Sequence, residues 1–141
     1  MVPASFNIAD VPMPLFARCA IVYFAGVFAA AFVLGAIRVA FVAPQLGEFP
    51  AVALEVPLVL CLSWAVAGRI LHRDPLPLGG RLAMGALAFG LLMLAEMALA
   101  RLFGQSTREV ITNMKSPAGA LGLAGQIGFA VIPALRGQAS G

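Results

Sequence analysis

The chain has 141 residues, 62% of them hydrophobic and 11% charged, with a formal net charge of +3. A soluble domain is about 45–50% apolar and about 25% charged, and one this small leaves a large share of its surface in water. That composition excludes a soluble globular fold, so the outer face must meet lipid. The basic surplus excludes a nucleic-acid surface too, because Lys and Arg never cluster beyond two or three and do not interleave with aromatic residues.

The expected fold is all-α: a polytopic membrane protein, a bundle of four transmembrane helices in a single membrane domain, with a short interfacial helix between spans three and four. Residues 1–14 read as a tail, since Pro12 and Pro14 cannot lie inside a regular helix. The apolar run that follows exceeds a signal-peptide core of about 7–15 residues, which predicts a retained first span over about 15–42. Arg38 sits near its far end, and Pro44 and Gly47 mark a tight connection.

Span two is expected over about 48–69. Pro50 falls in its first turn, where a missing N–H costs little. Pro57 lies inside, should free the carbonyl of Ala53, and should kink the helix. The stretch 69–81 carries prolines, glycines and charges and reads as a water-exposed turn. Span three is expected over about 82–100, with Glu96 inside it. In the interfacial segment 101–116, Ser106 and Glu109 have capping-box spacing, and Val110, Ile111 and Met114 would share one face of a surface helix. Ser116 and Pro117 read as N-cap and first residue of span four, about 117–135. Arg18, Arg69, Arg73, Arg81 and Arg136 fall on one side of the membrane, and Arg38, Arg101, Arg108 and Lys115 on the other. Five against four orients both termini towards the cytoplasm.

The charges within the spans are the informative residues. Glu55 follows Glu48 by seven positions, on the same face and about 10 Å deeper at ~1.5 Å per residue. Glu96 lies roughly 6 Å inside the expected end of span three by the same rise. Arg38 shares its face with Gly35 and Ala31, and Gln126 shares its face with Gly122, Gly119 and Ala118. Small residues mark helix–helix contacts in membranes, so these polar groups should point at other helices. A charge at the bilayer centre costs about 2.5–3.5 kcal/mol, and pairing Arg38 with Glu55 or Glu96 would offset much of it. One arginine cannot neutralise three carboxylates. At least one of Glu48, Glu55 and Glu96 must then reach water, pair with Arg101, or carry a proton.

Arg38, Glu48, Glu55, Glu96 and Gln126 are therefore the candidate ligand- or ion-binding residues. The bland alternative is a network that only fixes helix register, with Arg38 and Glu48 snorkelling to the interface. Gly119, Gly122, Gly125 and Gly128 are candidate packing residues, facing either helix one or another subunit. Cys19 and Cys61 read as core residues, and His72 as a solvated loop residue. No metal-ligand spacing, phosphate loop or nucleophile–base constellation is present, so no catalytic residue and no cofactor is indicated. A bound lipid or quinone stays open.

The strings Phe32–Val39, Ala43–Glu48, Leu54–Pro57 and Ser63–Trp64, with Arg81–Ala88 and Pro117–Gly125, resemble small four-span bacterial membrane proteins that carry no assigned function. The resemblance spans the chain after residue 15 and implies a bacterial cytoplasmic membrane and no chemistry. Small multidrug transporters also have four short spans, but their embedded glutamate lies in helix one, where this chain has no carboxylate. Two functions are expected from these readings. The first is a non-catalytic accessory or assembly subunit of a larger membrane complex. The alternative is a small oligomeric transporter or channel with a proton- or ion-coupled Arg/Glu site. A lipid- or quinone-handling enzyme is a third and fainter option. The implied partners are the bilayer and either other membrane subunits or further copies of the chain.

Overall fold

The computed structural model describes residues 13–139. The expected tail therefore lies outside the described residues, apart from Met13 and Pro14. Six α-helices follow: α1 (Leu15–Ile37), α2 (Ala43–Leu46), α3 (Glu48–Arg73), α4 (Leu78–Leu102), α5 (Thr107–Met114) and α6 (Pro117–Ala139). No strand occurs among the described residues. Four segments are long and apolar enough to cross a membrane: Leu15–Leu46, Glu48–Arg73, Leu78–Leu102 and Pro117–Arg136. The chain is an all-α multi-pass membrane protein with a short helix between its third and fourth spans.

The first span departs from its expected end for a local reason. Proline at position 44 has no N–H, and its ring crowds the carbonyl four residues back. The helix does not stop there. It widens into a π-turn over Arg38–Val42, with the Ala43 N–H donating to the Arg38 carbonyl five residues back. The wide turn makes room for the proline, and α2 continues to Leu46. Only Gly47 breaks the rod, at a φ of 90° that favours glycine. Spans two and three also run past their expected ends, to Arg73 and back to Leu78, which reduces the connection between them to Asp74–Pro77. At 26 residues, α3 is about 39 Å long at ~1.5 Å per residue. That exceeds a hydrocarbon core of about 30 Å, so its last turn, with His72 and Arg73, reaches past the core.

Packing follows the order α1, α3, α6, α4 around the bundle, with α3 against α6 the most extensive contact. Helices α1 and α6 thus lie on a diagonal. The close-packed half is the one near Asp74. There Cys19, Ala20, Tyr23 and Val27 of α1 meet Ala67 and Leu71 of α3, Met84 and Ala88 of α4, and Phe129 and Ile132 of α6. Small residues let the backbones approach. At Gly85 a Cβ would collide with the Ala130 carbonyl of α6. Arg81 fastens the same end, since its Nε donates to the Leu76 carbonyl at 3.2 Å and its Nη1 to the Ala134 carbonyl.

The glycine face of α6 meets α3 rather than helix one. A Cβ at Gly125 would lie 3.0 Å from Val56, and one at Gly128 2.9 Å from Leu60. Gly119 sits under the last residues of α5, Asn113 and Met114. Gly122 faces open space, and that space belongs to the cavity described next.

Candidate functional site

The half of the bundle near Gly47 is open. A cavity of about 750 Å³ lies between α1, α3, α4 and α6, with α5 at its mouth. Its volume falls in the range of about 300–1,000 Å³ usual for small-molecule sites. Sequence explains the space, because four of the seven residues that α6 gives to the wall are the small Ala118, Gly119, Gly122 and Gly125.

All five polar residues singled out from the sequence line this cavity. They form two separate pairs. On the α1/α3 side, Arg38 Nε donates to Glu55 Oε2, with side chains 25% and 18% exposed. The π-turn places Arg38 there, as its first residue. On the α4/α6 side, Gln126 Nε2 donates to both Glu96 carboxylate oxygens at 2.6 Å. Glu48 stands exposed at the rim. Arg101 turns away from the cavity and donates from Nη2 to Thr107 Oγ1 at 2.7 Å, tying α4 to the start of α5.

The charge count is therefore uneven. Arg38 answers Glu55, and it is the one ion pair among the described residues. Glu96 has an amide for a partner but no cation. With all groups ionised, one guanidinium faces three carboxylates, which leaves a formal surplus of two negative charges. Glu48 and Glu96 are both exposed, and an acidic surplus along a cleft with apolar walls attracts cations.

The floor is apolar and closed. Phe24, Phe28 and Phe129 line the deep end. Below them Tyr23 stacks on Phe129, with ring centroids 4.5 Å apart and planes 5° apart. Its hydroxyl donates to the Phe129 carbonyl at 2.6 Å. Pro133 explains why that carbonyl is free. It lies four residues on, inside α6, and has no N–H to give. The only tyrosine of the chain supplies the missing donor. Next to this plug, the buried Ser63 hydroxyl turns onto its own helix, donating to the Val59 carbonyl at 2.7 Å.

The mouth was the least legible part in sequence. Ser106 caps α5, accepting from the Glu109 N–H at 3.2 Å, as the spacing predicts. Ser116 Oγ accepts from the Gly119 N–H at 3.0 Å and opens α6. Yet α5 does more than lie on a surface. Val110, Asn113 and Met114 reach the cavity, joined by Gln105 and Ser116, while Ile111 stays exposed. Alternating small polar and apolar residues between two spans gave no sign of this. The Tyr23–Phe129 plug could have been anticipated from Pro133 and the solitary tyrosine.

Elsewhere, Arg136 lies over the Trp64 ring, with its guanidinium carbon 5.3 Å from the centroid. Cys19 is buried, Cys61 is exposed, and both are free thiols. His72 is exposed beside the Asp74 turn. Among the described residues no group of three or more His, Cys, Asp and Glu side chains could hold a metal ion. Compared with known proteins, the chain matches no family model, no curated protein and no solved structure.

Proposed function

We propose that this chain is a small membrane transport protein whose cavity binds a cation at Glu96, above an aromatic floor. The observation that carries the reading is the carboxylate of Glu96 in a cavity wall, partnered by an amide and, among the described residues, by no basic group. A carboxylate so placed takes either a proton or a ligand cation, and exchange of one for the other is the elementary step of proton-coupled transport. Phe24, Phe28 and Phe129 line the deep end, and aromatic rings suit an organic cation better than a hydrated metal ion. Arg38 and Glu55 form a compensated pair that holds α1 against α3 and shapes the opposite wall. Passage to the other side requires the Tyr23–Phe129 plug to open.

The chain would sit in a bacterial cytoplasmic membrane with both termini inside, so the cavity opens outward. The test is uptake of tetraphenylphosphonium into vesicles reconstituted with the pure chain, under an imposed proton gradient. Glu96→Gln should abolish uptake and Glu55→Gln should reduce it. Flux that survives both substitutions refutes the site.

One observation favours the accessory-subunit reading. The three most exposed large apolar side chains, Leu94, Leu102 and Phe103 at 70%, 80% and 75%, lie towards the end of α4 and at its C-cap, where a partner helix could cover part of them. Purification from native membranes separates the two. A second chain at fixed stoichiometry supports the subunit reading, and a chain that runs alone counts against it.

A further inference from the structure

A second cleft opens at the opposite end of the bundle, between the start of α1 and the end of α3. It measures about 390 Å³ and is lined by Arg18, Arg69, Arg73 and Asp74, with Val22 and Ile70 among its apolar walls. Arg69 and Arg73 are four residues apart, one above the other on the same face of α3. Arg18 approaches from the first turn of α1. All three are exposed. Three guanidiniums against one carboxylate leave a formal surplus of two positive charges around one small space.

Depth matters as much as sign. Arg18 is the fourth residue of α1 and Arg73 the last of α3, so the charges sit where span ends meet lipid headgroups. Val22 lies one helical turn deeper than Arg18, at the level of acyl chains. Below Arg18 the α1 wall of the cleft is apolar at Cys19 and Val22, while on α3 Ile70 lies at a depth between Arg69 and Arg73. Guanidinium forks match the oxygens of a phosphodiester, and basic pockets between spans recruit anionic headgroups.

We infer that this cleft between α1 and α3 is a binding site for one anionic phospholipid, its phosphodiester held by Arg18, Arg69 and Arg73 and its chains laid along Val22 of α1. Asp74 opposes the headgroup and sets a limit on affinity. The site is independent of the cavity at the other end.

Native mass spectrometry of the full chain in neutral detergent tests it, with dioleoyl phosphatidylglycerol, dioleoyl phosphatidylcholine and inorganic phosphate as probes. One phosphatidylglycerol should be retained in preference to phosphatidylcholine by about tenfold, the scale of one charge-assisted contact. Arg69→Gln with Arg73→Gln should erase the preference, Arg18→Gln should lower it, and Asp74→Asn should raise it. Arg108→Gln, on the exposed face of α5, should leave it unchanged. Equal retention of both lipids overturns the inference, as does a preference that persists in the double variant. Displacement of phosphatidylglycerol by inorganic phosphate at similar concentration also overturns it, since the site would then recognise the free anion.

Discussion

Replacing Tyr23 by Phe removes one oxygen from the centre of the bundle and leaves the ring stacked on Phe129. The cost depends on what the Phe129 carbonyl can do instead. An interhelical hydrogen bond in a membrane protein is worth about 0.6 kcal/mol on average, because the unfolded chain also finds partners. Here the carbonyl has no such alternative. Pro133 supplies no N–H, so the acceptor is left buried and unpaired, a loss of about 1–3 kcal/mol. We expect about 1.5 kcal/mol for Tyr23→Phe, towards the lower part of that range. Pro133→Ala returns an N–H to the same carbonyl, and in that background the tyrosine change should cost about 0.6 kcal/mol, the membrane average. The coupling between the two sites is then roughly 1 kcal/mol, above the ~0.3–0.5 kcal/mol scatter of independent sites. Unfolding in mixed micelles with increasing dodecyl sulfate reads it, followed by the fluorescence of Trp64, the single tryptophan. Equal costs of Tyr23→Phe in both backgrounds would refute the argument that proline creates the acceptor.

Other expectations follow from the same geometry. Arg38→Ala should destabilise by about 1–3 kcal/mol, between the values for exposed and buried pairs, because Glu55 is left half-buried without its cation. Replacing both by Leu should cost less than Arg38→Ala, measured by the same unfolding assay. Gly85→Ala should lower stability by about 1–3 kcal/mol, since its Cβ meets the Ala130 backbone and α4 must back away from α6. Gly90→Ala, five residues along the same helix with open space around it, should be neutral or slightly stabilising. Ser106→Ala should fray α5 by loss of its cap, about 1 kcal/mol, and hydrogen exchange at Val110–Met114 should quicken while the spans stay protected.

Hydropathy alone was enough to count the spans, because a run of apolar residues that long has only one stable solution in lipid. Span ends were harder. Pro44 looked like a terminator, but a π-turn absorbed it, and that choice depends on neighbours that sequence does not display. The gathering of Arg38, Glu48, Glu55 and Glu96 in one half was legible from helix register and alternating direction, whereas Gln126 read only as a mid-span residue facing other helices. Their pairing was only partly so, since Arg38 could meet Glu55 or Glu96 and nothing marked Gln126 as the partner of Glu96. Register says which level a side chain occupies, while the order of helices around the bundle decides which residue it meets. With α1 beside α3 and α4 beside α6, Arg38 finds Glu55 and Gln126 finds Glu96. The glycines of α6 illustrate the same gap, since a small-residue face announces a close neighbour without identifying it as α3. The role of α5 at the mouth depends on where a loop folds back, which local capping signals do not fix.

The proposed site is an acidic cavity that selects charge and not merely apolar bulk. Equilibrium binding of tetraphenylphosphonium and tetraphenylborate to the purified chain separates the two, because these ions share shape and apolar surface and differ in sign. The cation should bind saturably, at least about tenfold more weakly for Glu96→Gln, the scale of one lost charge interaction, and the anion should bind little to either form. Comparable binding of both ions, or cation binding unchanged by Glu96→Gln, would contradict the proposed site.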